Sequence, residues 1–292
     1  MAAAKNSLQG RVAIVTGAGK GLGRAWALHL ASRGARLVIN NRGRRDQPGG
    51  SSVDQVGAQI RAEGGDAVAN HDSVELADAA PRLIELALQR YGRLDIVIAN
   101  AGIDRAGSFH KQGLAEFAHV FDVNFFAVAR LLHAAWPVLR EQGYGRVVVS
   151  SSTAGLYGNH GQAAYASSKA AVQGLVKTLA IEGAARNVLV NAIAPYAATQ
   201  LTAAAFTGEQ AGQFTPQATA SLVAWLGSER CTVTGKTLIA GAGRARIAQT
   251  LESDTVVIGE DITAAISQLT AMACHYPQAT ASAEFEDFRR SL

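Results

Sequence analysis

Cysteine is almost absent from this 292-residue chain. Its two cysteines, Cys231 and Cys274, stand far apart and at no metal-ligand spacing. A disulfide framework and a zinc module are therefore not expected, and both residues read as reduced thiols of a cytoplasmic protein. Charge is also sparse. Only 17% of residues are charged, the formal net charge is +4, and no basic stripe stands out, so nucleic acid is not an expected partner. No apolar run approaches the length of a membrane span. Residues 1–10 are too short and polar a stretch for a signal peptide, and neither membrane insertion nor secretion is expected. The final Arg290-Ser291-Leu292 shares composition with the Ser-Lys-Leu peroxisomal address but is not that signal.

What remains is a chain in which 48% of residues are hydrophobic, enough for a sizeable core. Short apolar runs alternate with helical stretches. The runs predict strands at 11–16, 36–40, 66–70, 94–99, 145–151, 187–193 and 236–240. Helices are predicted at 22–33, 52–63, 74–91, 116–141, 163–184 and 216–227. Alternation of this kind argues for an α/β fold: a doubly wound, Rossmann-like parallel sheet of about seven strands with helices on both faces. The polar, glycine-rich stretch 43–52 reads as a loop, and 207–215 as a second flexible region. Residues 1–246 are expected to form one nucleotide-binding domain. Residues 247–292 form an extension, with a strand at Thr255–Ile258 and a helix at Ile262–Ala273, expected to pack on that domain or at a subunit interface.

Two motifs carry chemistry. The first strand runs into Thr16-Gly17-Ala-Gly19-Lys20-Gly21-Leu22-Gly23, and a helical stretch follows. Strand, glycine turn and helix in that order suit a dinucleotide: glycines let backbone approach the pyrophosphate, and the helix N-terminus offers free N–H groups. The second motif is Tyr165-Ala-Ser-Ser-Lys169, with Ser152 thirteen residues upstream of the tyrosine. Residues four apart share one helix face, so the ammonium can lie under the phenol. A free tyrosine is a poor base at neutral pH, with a pKa of about 10. A nearby positive charge favours the phenolate and lowers that value. This is equipment for moving a proton to or from an alcohol oxygen.

Together with Asn100-Ala101-Gly102 and Asn124, these motifs resemble the short-chain dehydrogenase/reductase family in order and spacing, from about Leu8 to Arg246. The stretch Ser151–Tyr165, with Ala180-Ile-Glu-Gly183, Asn191-Ala-Ile-Ala-Pro195 and Gly241-Ala-Gly243, is similar to one branch: the (3R)-hydroxyacyl-CoA dehydrogenase domain of the peroxisomal multifunctional enzyme of β-oxidation. The resemblance implies that Tyr165 is the general acid–base. It implies that Lys169 lowers the phenol's pKa and holds the nicotinamide ribose, that Ser152 bonds the carbonyl oxygen, and that Asn124 steadies a water relaying protons to the lysine. It further implies that Asp72, beside Ser73, bonds the adenine amino group, a helix cap being the competing reading of the pair. Asn100, Ala101 and Gly102 would let backbone pass the adenosine ribose, and Pro195 and Thr199 would cradle the nicotinamide. Tyr196 stands where most of the family has glycine, and Ala99 where it has a second asparagine.

The cofactor's phosphate state turns on the end of the second strand. An acidic residue there would take both ribose hydroxyls and reject a 2′-phosphate. This chain has Asn41 and Arg42, with Arg44, Arg45 and Lys20 nearby, and arginine pairs with phosphate through two N–H bonds. The resembled branch carries aspartate at this point and uses NAD. The cofactor expected here is NADP, with NAD as the alternative. The expected activity is hydride transfer between NADP(H) and a small-molecule ketone or secondary alcohol, as a ketoreductase of a 3-oxoacyl thioester or similar bulky ketone. The alternatives are an NAD-dependent (3R)-hydroxyacyl-CoA dehydrogenase and a non-catalytic nucleotide sensor on the same fold. A homodimer or homotetramer is expected, through the helices of 117–140 and 162–184.

Overall fold

A computed structural model describes residues 8–43, 51–202, 206–276 and 280–290. Chain contacts divide it into two compact units, Met1–Ile247 and Ala248–Leu292.

The first unit alternates strand and helix: β1 Val12–Thr16, α1 Gly21–Ser32, β2 Arg36–Asn40, α2 Ser52–Ala62, β3 Asp66–Asn70, α3 Ala79–Tyr91 and β4 Ile96–Ala99. Then come α4 Leu114–Phe121, a π-helical turn Asp122–Phe126, α5 Ala127–Glu141, β5 Gly145–Ser150, α6 Ala154–Tyr157 and α7 Ala163–Gly183. β6 Val188–Pro195, α8 Gly208–Gln213, α9 Ala220–Leu226, β7 Thr237–Gly241 and β8 Arg244–Ala248 follow. The sheet order is β3-β2-β1-β4-β5-β6-β7-β8. Every pairing from β3 to β7 is parallel.

Both faces of this sheet are buried, and strand periodicity divides the core between them. Val12, Ile14, Val38, Val97, Val147 and Val149 point to the face covered by α3, α5 and α7. Ala13, Val15, Leu37, Ile39, Ile98 and Val148 point to the face of α1, α2 and α9. There Trp26 is fully buried, and its indole N–H donates to Thr219 Oγ1 at 2.9 Å.

The seven expected strands are present, and an eighth joins them. β8 returns through a two-residue turn whose central residues, Ala242 and Gly243, have φ of 48° and 70°. Positive φ at both positions matches the twist of a tight hairpin. The helix expected at 74–91 begins only at Ala79, and Val74 and Glu75 line the cleft described below. The long helix expected at 116–141 is interrupted by the π-helical turn around Asn124. Arg44 and Arg45 lie outside the described residues.

In the second unit, β9 Glu252–Ser253 pairs antiparallel with β10 Cys274–His275, and α10 Ile262–Ala271 and α11 Ala281–Arg290 complete it. The strand expected at 255–258 does not form. Those residues have no partner strand, Val257 and Ile258 are exposed, and a strand needs a neighbour for its backbone groups. No helix among the described residues is long and apolar enough to cross a membrane.

Candidate active site

The strand order reverses between β1 and β4, and open parallel sheets bind ligands beyond the carboxyl ends of the strands at such a point. A cleft of about 430 Å3 opens there. Its floor is the glycine turn, with Gly17, Lys20, Gly21 and Leu22. Gly17 has a φ of 66°, and a Cβ on it would lie 2.8 Å from the Asn100 amide. Gly23 does not line the cleft: a Cβ there would lie 2.2 Å from Gly17 O, so this glycine lets α1 seat against the turn. No side chain caps the first turn of α1. An uncapped helix N-terminus on a glycine cradle, with Lys20 and Arg42 in the same cleft, fits the pyrophosphate of a dinucleotide.

The other walls hold most of the residues expected for the cofactor. Asn41 and Arg42 line it from β2, Ser73 from beyond β3, Asn100, Ala101 and Gly102 from beyond β4, and Thr199 from beyond β6. Asn100 also ties strands together: its Nδ2 donates to Thr16 O at 3.0 Å, and its Oδ1 accepts from Ser150 Oγ at 3.2 Å. Asp72 and Pro195 do not line the cleft. The Asp72 carboxylate accepts from Arg82 Nε and Asn70 Nδ2, each at 3.0 Å. It does not cap α3 either, whose N-cap is Asp78.

Gly102 joins this cleft to the residues expected to carry the chemistry. A Cβ on it would lie 3.2 Å from Asn124 Oδ1 and 3.5 Å from Lys169 Nζ. Asn124 is buried: Oδ1 accepts from Ile103 N–H at 2.9 Å, while Nδ2 donates to Ile103 O at 2.9 Å and Ser168 Oγ at 3.1 Å. It thereby fixes α4–α5 against α7 and against the strand end at Ile103. Lys169 is buried too, and its Nζ donates to Ser150 O at 2.8 Å. Burial pushes this ammonium down to about 8.

Ser152 reaches Tyr165 because α6 lies directly on α7. A Cβ on Gly155 would stand 2.6 Å from the Lys169 carbonyl carbon, so only glycine admits that approach. The Ser152 hydroxyl lies near enough to the Tyr165 phenol to favour its ionised form. Burial pushes the phenol above its ordinary value, the Asp104 charge adds to this, and the nearby Ser152 hydroxyl only partly offsets it. Lys169 is not among the causes of this shift. Its Nζ lies 5.8 Å from the ring centroid and is turned to the Ser150 carbonyl.

The fold also brings here residues to which sequence reading gave no individual role. Asp104 faces Tyr165 from the loop after β4, and its carboxylate accepts from Gln162, whose own Oε1 accepts from Asn159 at 2.7 Å. Gly107 N–H donates to Gly161 O at 2.7 Å, pinning the same two loops together. Glu75 enters the nucleotide cleft, as do Val74, Gln200 and Leu201. Helical spacing offered a signal only for Gln162, which stands three residues before Tyr165.

Comparisons with known proteins agree with this geometry. The chain is 45% identical over 240 residues to the short-chain type dehydrogenase/reductase Rv0148 of Mycobacterium tuberculosis, covering 81% of this chain and 84% of that one. It is 42% identical over 237 residues to the mouse peroxisomal multifunctional enzyme type 2, covering 80% of this chain but 32% of that longer protein. It is 39% identical over 197 residues to a 3-oxoacyl-acyl-carrier-protein reductase of Synechocystis, covering 67% and 78%. Among solved structures, the full-length multifunctional enzyme type 2 of Drosophila melanogaster superposes with a TM-score of 0.82 at 33% identity, over 97% of this chain and 50% of that one. An NAD(P)-dependent gluconate 5-dehydrogenase of Beutenbergia cavernae, with NADP bound, gives 0.73 at 33% identity over 82% and 98%. The family model described as short chain dehydrogenase matches residues 11–210, and with strand order, cleft and tyrosine–lysine helix in agreement, this chain belongs to that family of oxidoreductases.

Proposed function

We propose that this chain is an NADP-dependent ketoreductase acting on a 3-oxoacyl thioester or a similar bulky ketone. The observation that carries the chemistry is the gathering of Ser152 and Tyr165 beside buried Lys169, one glycine away from the nucleotide cleft. A bound nicotinamide supplies the hydride. Ser152 holds the substrate oxygen, and Tyr165 Oη gives it a proton. A phenol pushed above its ordinary pKa is proton-bearing at neutral pH, which suits reduction. Lys169 binds the ribose and supplies positive charge behind the phenol. Asn124 keeps the helix register that aims both residues.

Arg42 and Lys20 in the cleft, with Asn41 in place of an acid at the end of β2, support NADP. The likeness to a 3-oxoacyl reductase supports the substrate class. One observation favours the second reading, an NAD-dependent (3R)-hydroxyacyl-CoA dehydrogenase: Arg42 faces Glu75, with 3.6 Å between Nη1 and Oε2. The two unpaired cysteines support a cytoplasmic setting, and the exposed Phe126 and Ile181 beside α5 and on α7 support a homodimer or homotetramer. Fluorescence titration with NADPH and NADH side by side, followed by turnover of a 3-oxoacyl thioester, tests the reading. Tighter NADPH and NADPH-driven reduction are expected. Tighter NADH with oxidation of a 3-hydroxyacyl thioester selects the second reading.

A further inference from the structure

The nucleotide cleft contains an anion that the arginine motif alone does not foreshadow. Glu75 follows β3 and lines the cleft together with Lys20, Asn41, Arg42 and Ser73. Its carboxylate is held from two sides. Oε2 accepts from Ser73 Oγ at 2.7 Å and faces Arg42 Nη1 at 3.6 Å. Oε1 meets His119 Nε2 of α4. Burial alone would raise this carboxyl, but the bonds from Ser73 and His119 and the charges of His119 and Arg42 outweigh it and keep the group below its ordinary value. Arg42 is largely exposed, so the ion pair itself contributes little to stability. What matters is where the charge is fixed: Ser73 and His119 hold it beside the one β2-end arginine among the described residues.

A 2′-phosphate arriving at Arg42 has to take the guanidinium from Glu75 and sit close to a second anion. Like charges at such range repel by an amount that partial burial leaves only partly screened. A 2′-hydroxyl meets no such opposition, because it can donate to the same carboxylate. The acid that would discriminate at the end of β2 is missing, Asn41 standing there, and an acid from the next strand end occupies the neighbouring space. We propose that Glu75 is a cofactor-specificity residue of this chain, competing with the 2′-phosphate of NADP for Arg42 and accepting the free 2′-hydroxyl of NAD. The inference rests on the reading above that the cleft takes a dinucleotide with its 2′ group at Arg42.

The test is binding, read by fluorescence titration of the purified protein with NADPH and with NADH. Glu75→Gln keeps partners for Ser73 and His119 and removes the charge. It is expected to tighten NADPH about tenfold and to leave NADH unchanged or weaker. Arg42→Ala is expected to weaken NADPH selectively, and Glu75→Gln should gain less in that background. An unchanged NADPH-to-NADH ratio in Glu75→Gln, with Arg42→Ala still selective, overturns this inference and leaves the cofactor reading standing. Equal weakening of both nucleotides by Arg42→Ala overturns the cofactor reading and this inference with it. Should Glu75→Gln fail to fold, Glu75→Asp withdraws the charge from Arg42 by one carbon and is expected to move the ratio the same way by a smaller factor. No movement there overturns the inference too.

Discussion

The two ends of the sheet bury charge in opposite ways. At the amino ends of the strands, Asp95 is fully buried and fully paired. It accepts from Arg11 at 2.8 Å, from Arg93 at 2.6 and 2.8 Å, and from the Val12 N–H at 2.9 Å. Burial pushes its carboxyl up, but these bonds outweigh it and hold the group below its ordinary value. Beside it the Tyr144 ring lies between the guanidinium groups of Arg11 and Arg146, at 3.7 and 4.3 Å. Arg146 spends its N–H groups on the carbonyls of Ser228, Gly145 and Asn187. At the carboxyl ends, Lys169 is as deeply buried and has one backbone carbonyl for company, and Tyr165 faces a carboxylate. A buried charge with complete partners stays in its ordinary state and fastens strands. A buried charge left without a counter-ion changes its proton affinity, and that is what proton transfer needs.

The largest effect expected from breaking this contrast is at Tyr165. Tyr165→Phe should lower kcat by about 10³-fold or more while NADPH titration and melting temperature stay near the parent's. Persisting turnover would remove Tyr165 from the acid–base role. The mirror experiment is Asp95→Ala, which takes the buried acceptor from Arg93, the Val12 N–H and Arg11, the last keeping only Glu229. It should lower unfolding free energy by about 3 kcal/mol with kcat unchanged at temperatures where the protein is folded. A loss of kcat with stability intact would erase the division of labour between the two ends.

Lys169 gives a smaller effect of opposite sign. Its folded value is about 8 against 10.5 for the free side chain. Between those pH values the unfolded chain holds a proton that the folded chain does not. Stability from this group therefore rises as pH climbs through the window, and the burial penalty is present in full below it. Lys169→Met should be inactive yet no less stable at pH 7, with a gain of at most about 3 kcal/mol that vanishes toward pH 10.5. Denaturant unfolding at pH 7 and pH 10 measures it, and destabilisation at pH 7 would show that the bond to Ser150 O outweighs burial. The smallest effect sharpens the picture at the phenol. Asp104→Asn removes a charge that raises Tyr165, so the rising limb of the oxidation rate should move to lower pH. An unmoved limb would mean that Asp104 only fastens the loop through Gln162.

Much of this was readable along the chain because the signals are local. β1, β2, β4 and β5 are short apolar runs ending in small or polar residues, and α7 carries Tyr165 and Lys169 at one-turn spacing. The features that escaped are pairings between distant segments. Glu75 stands 33 positions after Arg42, and although Asp72 and Ser73 beside it were expected at the adenine, nothing along the chain pairs it with that arginine. Asp104 sits in a loop without periodicity. β8 exposes nearly its whole length and so shows no apolar run. The π-helical turn at 122–126 contains Asn124, whose bonds to Ile103 and Ser168 join distant segments and are not encoded in helix propensity.

Strand and helix periodicity and the glycine turn determined by themselves that this is a parallel α/β chain with a turn suited to a dinucleotide, and the resemblance carried by the joint motifs pointed to an oxidoreductase. These are properties of consecutive residues and need no partner to be expressed. Tertiary structure alone decided which charges meet: Glu75 with Arg42, Asp104 with Tyr165, and Lys169 with a lone carbonyl. Electrostatic energy depends on distance through space and on exclusion of water, and both are set only when the strand ends come together.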